Sequence, residues 1–382
     1  MLAGVVAAVV GFSSSFVVVL AGLVAVGATP AQAASGLVAL CVAQALGMLW
    51  LALRHRTPVS LAWSTPGAAL LVTTGTVQGG WPAAVGAFAL TGVLVVLTGL
   101  VPRLGDLVAA IPVPLARAML AGVLLPLCVQ PVLALADSPL LVGPVVLAWL
   151  LLVRPAPRWA VPASLAVALV VVVVEAGDTV AAQDLLPTLS LTLPAWSTSA
   201  ALGIALPLYV VTMASQNVPG VAVMATFGYR VPWRESLGVT GLGTLLAAPF
   251  GGHAVNLAAI TAALMAGPAA GADRARRWQA SVAASLTYLL LAAAAGALTT
   301  LVAAAPDGVV QSAAGLALLG TLAASLGDAL AEEHERLPAA ACLVVAASGV
   351  TVLGIGAAFW ALVAGLVLRW VLRTGEVRAG AA

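Results

Sequence analysis

The side chains that could do chemistry in this sequence are few, and each stands in an otherwise apolar stretch. They are hydroxyl, amide, indole and imidazole groups rather than carboxylates: Trp63, Ser64, Thr65, Gln216, His253 and Asn256. A hydrolase would need a nucleophile beside a general base, or a pair of carboxylates. Neither arrangement can be assembled from this chain, nor can a metal site, so we expect no enzyme, cofactor or metal. The groups that remain can bind a small ligand and, through His253, exchange a proton.

The composition places these side chains in a membrane. Of the 382 residues, 63% are hydrophobic and only 7% are charged, whereas a soluble domain has about 25% charged residues. We therefore expect an all-α polytopic membrane protein with no large soluble domain, and no nucleic-acid partner because basic runs are short. A spanning helix needs about 20 mostly apolar residues, and fourteen such stretches can be drawn: 5–28, 31–53, 59–75, 82–101, 110–134, 138–153, 160–176, 199–218, 234–250, 253–267, 278–304, 309–327, 338–354 and 356–373.

The arginines give this topology a direction. All 15 basic residues are Arg, and every one falls on the cytoplasmic side if the amino terminus lies in the cytoplasm. The outer loops keep only acidic residues: Asp137, Glu175, Asp178, Asp184 and Asp307. Positive charges concentrate on the cytoplasmic side of a membrane protein. The sequence therefore predicts a bacterial-type cytoplasmic (inner) membrane protein with both termini in the cytoplasm.

Two predicted segments, spans 3 and 10, are not ordinary spanning helices. Residues 59–75 begin Val-Ser-Leu-Ala-Trp-Ser-Thr-Pro-Gly, residues 249–267 begin Pro-Phe-Gly-Gly-His-Ala-Val-Asn-Leu, and each then continues as a short apolar run. We expect each to form a short strand followed by a half-length helix. Ser64 or Thr65 can cap the first half-helix, and Asn256 can cap the second.

These two segments lie half a chain length apart, which predicts an internal repeat. Because seven is an odd number, the second set of seven spans begins on the opposite side of the membrane from the first, so the second half is inverted relative to the first. Inverted repeats with broken helices at matching positions indicate a secondary transporter with its site near the bilayer midplane. Polar residues concentrate in spans 1–4 and 8–11, which predicts a core domain with the site and an apolar gate domain. The predicted units are repeats 1–177 and 199–382, an outer linker 178–198, a core domain 5–101 plus 199–304, and a gate domain 106–177 plus 308–373.

Five motifs resemble the benzoate:proton symporter (BenE-type) family. In the second half they are Thr-Met-Ala-Ser-Gln-Asn-Val-Pro-Gly at 212–220 and Pro-Phe-Gly-Gly-His-Ala-Val-Asn-Leu-Ala-Ala-Ile-Thr at 249–261. In the first half they are Phe-Val-Val-Val-Leu-Ala-Gly at 16–22, Thr-Pro-Ala-Gln-Ala at 29–33 and Trp-Ser-Thr-Pro-Gly at 63–67. The resemblance implies the seven-plus-seven inverted-repeat fold of uracil and xanthine permeases and of sulfate-type anion transporters. It also implies uptake of an aromatic carboxylate with protons, and it is compatible with a homodimer through the gate domain.

One departure from the nucleobase permeases bears on the ligand. Those relatives place carboxylates on spans 8 and 10, whereas this sequence has Gln216 and, next to Asn256, Val255 at the matching places. A site without its own anions, between two helix amino termini that each have about half a positive charge, favours an anionic ligand. The residues therefore predict a small organic anion, and the resemblance narrows this to benzoate or a similar aromatic carboxylate.

Each candidate site residue has a functional and a structural interpretation. Trp63 can stack on the ring of the ligand, or it can be a packing tryptophan. Ser64, Thr65 and Asn256 can contact the carboxylate, or they can only cap their helices. Gln216 can bind the ligand or bridge to a neighbouring span, because an amide in a span needs a partner.

His253 is the candidate for proton coupling. It is the histidine predicted to lie at membrane depth, just before the second half-helix, and imidazole has a reference pKa near 6.5. Its protonated form would sit beside an incoming carboxylate, so that proton and anion would bind together. Burial and the adjacent helix terminus oppose protonation of the empty site. The alternative is a neutral histidine that only hydrogen-bonds the ligand or a neighbouring span.

The sequence as a whole predicts a secondary active transporter that imports benzoate or a similar aromatic carboxylate with protons by alternating access. Its expected partners are that substrate, protons and the lipid bilayer. Two alternatives remain: a transporter of another small anion or a nucleobase, and a passive anion channel on the same fold.

Overall fold

The computed structural model describes residues 1–101, 103–104, 110–176, 186–187 and 189–379, with side chains up to Leu372. Within these residues, eight helices are long and apolar enough to cross a membrane by length and composition. The first half contains α1 (Leu2–Ser13), α2 (Phe16–Ala25), α3 (Pro30–His55), β1 (Leu61–Trp63), α4 (Thr65–Thr74), α5 (Gly80–Leu100), α6 (Val113–Asp137), α7 (Pro139–Leu152) and α8 (Pro157–Ala176). The second half contains α9 (Thr198–Thr226), α10 (Trp233–Ala247), β2 (Val255–Leu257), α11 (Ile260–Ala266), α12 (Trp278–Ala303), α13 (Val309–Leu330), α14 (Arg336–Ala347) and α15 (Ala357–Ala379).

The two segments predicted to be strand plus half-helix have that structure. Strand β1 pairs antiparallel with β2, and Ala62 lies opposite Asn256. Two further backbone bonds extend the pairing, from Ser64 N–H to the Ala254 carbonyl and from Ala258 N–H to the Ser60 carbonyl, both 3.0 Å. Backbone groups inside a bilayer must be paired within the protein, and this small sheet satisfies the extended residues before each half-helix.

The caps of the two half-helices differ from each other. Ser64 caps α4 as predicted, because its Oγ accepts a hydrogen bond of 3.1 Å from Gly67 N–H. The prediction that Asn256 caps the second half-helix is wrong. Asn256 is a strand residue, and α11 begins only at Ile260, after Ala259, without a side-chain cap. Pairing with β1 holds the backbone extended at Asn256, so the helix starts later.

Two spanning segments contain local breaks. The chain leaves the helix at Ser14 and Ser15, between α1 and α2, and Ser14 Oγ donates to the Gly11 carbonyl at 2.9 Å. Helix α9 contains two π-helical turns, at 201–205 and 213–217. Such turns are rare and concentrate at functional sites, and the second of them contains Gln216.

The helices pack in two groups. Helices α1–α5 and α9–α12 pack mainly among themselves, with α12 against α1 and α3, α10 against α3 and α5, and α2 against α4. Helices α6–α8 and α13–α15 form the second group around the α6–α13 pair. A Cβ at Gly22 would lie 2.4 Å from the Ala68 carbonyl oxygen, so glycine permits the close approach of α2 to α4. We call the first group (α1–α5 and α9–α12) the core group and the second group (α6–α8 and α13–α15) the gate group.

The segment predicted as an outer linker lies partly outside the described residues, as do Asp178 and Asp184. Its later part, residues 189–197, has no regular secondary structure. Thr192 N–H donates to the Pro249 carbonyl at 2.7 Å, and Ala195 N–H donates to the Pro82 carbonyl at 2.9 Å. This stretch is therefore attached to the core group.

Candidate functional site

A cavity of about 150 Å³ lies where the core and gate groups meet. A cavity of this size in an apolar protein interior can hold benzene. The core group contributes the α1–α2 break, the start of α4, the π-turn of α9, the start of α11 and Tyr288 of α12. The gate group contributes Leu124 of α6 and Ala317, Leu318 and Thr321 of α13. The cavity is therefore bounded by residues of both groups.

Trp63 and Tyr288 form an aromatic wall of this cavity. Their rings meet edge to face, with centroids 6.2 Å apart, and the Phe12 ring also meets Trp63 edge to face, with centroids 5.5 Å apart. The Trp63 indole Nε1–H donates to Ser15 Oγ at 2.9 Å. Trp63 is only 3% exposed. These contacts fix the indole before any ligand arrives, which lowers the entropic cost of binding against it.

The start of α4 brings Thr65 to the cavity and keeps Ser64 behind it. Thr65 lines the cavity, whereas Ser64 is fully buried and is not part of its lining. Ser64 Oγ accepts from Thr212 Oγ1–H at 2.8 Å in addition to Gly67 N–H. Ser64 therefore connects α4 to α9 and fixes the helix start. In the first turn of α4, Gly67 N–H and Ala68 N–H are both bonded to Ser64 and Pro66 has no N–H, so the Thr65 N–H is the backbone donor left at the cavity edge.

Gln216 is the sequence-predicted polar side chain that lines the cavity from α9. It makes no side-chain hydrogen bond within the part of the chain that the structure describes, so the predicted bridge to a neighbouring span is absent there. Its neighbour Asn217 instead forms the bridge, because Asn217 Oδ1 accepts from Leu257 N–H at 2.9 Å. The Gln216 amide, with two donors and an acceptor, is available to a ligand.

The start of α11 closes the cavity opposite α4. Residues 258–261 line it, and Thr261 Oγ1 hydrogen-bonds Ser60 Oγ at 2.7 Å. That bond joins the two strand–helix segments beside the cavity. The backbone at the beginning of α11 therefore faces the same space as the beginning of α4.

His253 and Asn256 are both fully buried and lie outside the lining of the cavity. His253 Nε2 hydrogen-bonds the Ser64 carbonyl at 2.9 Å, so the imidazole is one residue removed from Thr65. Its Nδ1 has no hydrogen-bond partner among the described residues. Asn256 Nδ2 donates to the Leu257 carbonyl at 3.1 Å, and its Oδ1 has no partner in the same part of the chain. Of the six sequence-predicted residues, the structure brings Trp63, Thr65 and Gln216 to the cavity and places Ser64, His253 and Asn256 behind it.

The cavity residues that were not singled out from the sequence include Gly11, Ser15 and Tyr288. The Tyr288 hydroxyl makes no hydrogen bond among the described residues. A Cβ at Gly11 would lie 2.7 Å from that hydroxyl oxygen, so the absence of a side chain at Gly11 makes room for it. The one available signal was a lone Tyr in the apolar helix α12, because a tyrosine hydroxyl inside a span needs a partner or a ligand.

The electrostatics of the cavity favour an anion. Of the residues that line it, none is Asp, Glu, Arg or His. The polar groups that reach it include donors from Thr65, Gln216 and Tyr288, and the amino termini of α4 and α11 add the positive ends of two helix dipoles. Donors without a competing carboxylate suit a small carboxylate, and the aromatic wall suits a ring.

Comparison with known proteins identifies the family of this chain. The family model for the benzoate membrane transport protein (BenE) matches residues 1–371. The chain is 42% identical to inner membrane protein YdcO of Escherichia coli (strain K12) over 377 residues, which cover 97% of this chain and 95% of that protein. It is 30% identical to the benzoate membrane transport protein of Acinetobacter baylyi (strain ATCC 33305 / BD413 / ADP1) over 343 residues, 87% and 85% of the two chains.

Solved structures of anion transporters share the fold. The transmembrane domain of a cyanobacterium bicarbonate transporter, BicA, superposes with a TM-score of 0.59 at 15% identity, covering 95% of this chain and 97% of that one. The murine anion transporter Slc26a9 in its inward-facing state superposes with a TM-score of 0.64 at 13% identity, covering 98% of this chain and 69% of that one. These identities show the fold alone, whereas the family model covers nearly the whole sequence. The chain therefore belongs to the benzoate membrane transport protein family and is a multi-pass membrane transporter, not an enzyme.

Proposed function

We propose that this protein imports benzoate or a similar aromatic carboxylate together with protons, by alternating access. The observation that supports this best is the cavity between the core and gate groups. It combines an aromatic wall, an unengaged amide and two helix amino termini with no carboxylate in its lining. The relative from Acinetobacter baylyi is named a benzoate membrane transport protein, which supports the choice of an aromatic acid over an inorganic anion.

In the proposed complex the carboxylate lies between the starts of α4 and α11, within reach of Gln216, and the ring lies against Trp63. Charge-assisted hydrogen bonds from backbone N–H groups are the strongest available there. The cavity volume of about 150 Å³ leaves room for one ring, so larger aromatic acids should compete poorly.

The proposed transport cycle moves the core group against the gate group. The proposal includes fourteen spans in two inverted repeats with both termini in the cytoplasm. The antiparallel pairing of β1 with β2 supports it, because a two-fold relation between the repeats brings equivalent segments together in opposite directions. The distribution of arginines supports the orientation.

The test of function is uptake of labelled benzoate into proteoliposomes made with the purified full chain. With a pH gradient, acid outside, we expect accumulation above the external concentration, and an uncoupler should abolish it. Downhill flux that never concentrates benzoate would favour the passive channel. Uptake of uracil or of an inorganic anion without competition by benzoate would contradict the proposed substrate.

Trp63→Ala should weaken benzoate binding by about 1–3 kcal/mol, because it removes a buried ring that stacks with the ligand. Trp63→Phe retains a ring and should lose much less. Equilibrium dialysis with labelled benzoate measures both, and Trp159→Ala, an exposed tryptophan of α8, is the matched control. Thermal melting must show that each variant is folded, since Trp63 also packs against Phe12. Unchanged affinity in folded Trp63→Ala would remove this residue from the site.

A further inference from the structure

A second cavity of about 230 Å³ lies between the gate and core groups, beside the central one. Its gate wall is formed by Val113, Ala116 and Arg117 of α6, and its core wall by Val211, Ala214 and Ser215 of α9. Both helices also line the central cavity, through Leu124 and Gln216. The same two helices therefore contribute to both cavities, and the Arg117 side chain lines the second one.

Helix geometry relates this arginine to the central cavity. Arg117 precedes Leu124 by seven residues, which is two turns on the same face of α6, or about 10 Å along its axis. On the neighbouring helix α13, Asp328 follows Thr321 by the same interval. Leu124 and Thr321 line the central cavity. The residues two turns beyond them form an ion pair, with Arg117 Nε 3.3 Å from Asp328 Oδ2.

The exposure of this ion pair allows Arg117 to exchange Asp328 for another carboxylate. The Arg117 side chain is 21% exposed and the Asp328 side chain is 53% exposed, and ion pairs open to solvent contribute little to stability. The Arg117 guanidinium makes no hydrogen bond within the described residues, although it has five donors that match a carboxylate. A carboxylate ligand can therefore replace Asp328 at small cost.

Arg158 of α8 offers a comparison. It lines another cavity, of about 160 Å³, with residues of α1 and α11. Helix α8, however, contributes nothing to the central cavity, whereas α6 and α13 both do. Arg117 is thus the better placed of the two to meet a ligand that leaves along the gate wall.

We propose that Arg117 forms a second, transient binding site for the carboxylate substrate, two helical turns from the central cavity on the route to the face where the arginines lie. The inference rests on the proposed function. Asp328 neutralises Arg117 when the route is empty, and the substrate takes the place of Asp328 as it passes. A cation on the route raises the local concentration of an anion and its rate of entry, in a manner that salt screens.

The test is the rate of benzoate binding to the purified full chain, followed by tryptophan fluorescence in a stopped-flow instrument at increasing ionic strength. The wild-type association rate constant should fall as salt rises. Arg117→Gln should lower that rate constant about tenfold at low salt, the lower end of electrostatic steering, and remove most of its salt dependence. The dissociation constant should change much less, because entry and exit slow together. Arg117→Lys should keep most of the rate, and Asp328→Asn should keep or raise it.

Arg158→Gln and Arg276→Gln are the controls. Arg276 forms an exposed ion pair with Asp273, 3.3 Å apart, away from both cavities. An Arg117→Gln protein with the wild-type rate and salt dependence would overturn the inference, as would an effect seen in Arg158→Gln instead. Equal losses in Arg117→Gln and Asp328→Asn would make the pair a structural latch and also overturn it. A wild-type protein that binds no benzoate would contradict the proposed function itself, and this inference with it.

Discussion

Gln216→Glu should nearly abolish benzoate binding at neutral pH. The substitution keeps the size of the side chain and places a carboxylate in a cavity whose described lining has none. Two like charges about 4 Å apart repel by roughly 2–4 kcal/mol at the effective dielectric of a protein site, which corresponds to a roughly 30- to 900-fold loss of affinity. Equilibrium binding of labelled benzoate measures the loss.

The pH dependence of this variant gives the prediction a second readout. Protonation of the introduced Glu removes the repulsion, so affinity should recover as the pH falls. Gln216→Leu, which removes the amide but adds no charge, is the matched control and should lose only the hydrogen bonds. A Gln216→Glu protein that binds benzoate as tightly as wild type would show that the carboxylate lies away from Gln216.

The same substitution tests the choice between anion and nucleobase. The nucleobase permeases resemble this protein but have a carboxylate on the corresponding span. If an aromatic acid is the ligand, the added charge is purely unfavourable. If a nucleobase were the ligand, the Glu carboxylate could accept hydrogen bonds from ring N–H groups, and binding would be retained or improved.

Sequence reasoning located the broken segments because their local signals are strong. Ser64 followed by Thr65 and Pro66 is a helix start with a cap, and the structure has that cap. Asn256 offered a similar signal, but the residue pairs with Ala62 across the two strands. Pairing between segments from opposite halves of the chain is a tertiary event, and a local capping rule does not include it.

The candidate site was predictable only where its residues give a local signal in the sequence. Trp63, Thr65 and Gln216 are polar or aromatic residues that interrupt apolar stretches of the sequence, and all three line the cavity. Tyr288 and Gly11 line it only because α12 packs against α1, and no spacing along the chain indicates that contact. From the sequence, Arg117 served only to predict the orientation in the membrane. Its position beside a cavity depends on how α6 packs against α9, which the sequence does not indicate.

His253 was expected to touch the ligand, and the structure gives it a different position. Nε2 faces the Ser64 carbonyl, which accepts, so the hydrogen of the neutral ring is on Nε2. The same carbonyl also accepts from Ala68 N–H at 2.8 Å, in the first turn of α4. A second proton can bind only at Nδ1, which has no hydrogen-bond partner within the described structure. A positive charge on this ring would therefore act electrostatically on the ligand across the start of α4, without direct contact.

We therefore keep the proposal that His253 holds the coupled proton, now as a residue that acts through Ser64 and Thr65. A positive imidazolium behind the start of α4 stabilises a carboxylate in front of it, and a bound carboxylate stabilises the imidazolium in return. Linkage makes the two effects equal in free energy. Benzoate should consequently bind more tightly to the wild-type protein as the pH falls, and each binding event should take up protons.

His253→Gln should separate binding from proton coupling. Glutamine can still donate to the Ser64 carbonyl, so α4 keeps its start, but it does not titrate. We expect complete loss of accumulation driven by a pH gradient, together with loss of the pH dependence of binding, while exchange of labelled for unlabelled benzoate continues. Parallel uptake and exchange assays in the same proteoliposomes measure both. His55→Gln is the matched control, since His55 hydrogen-bonds Glu235 at 2.8 Å away from the cavity, and it should leave coupling intact. Accumulation by the His253→Gln protein under a pH gradient would show that the proton takes another route, because no other imidazole is close enough to Ser64 to replace this one in the described structure.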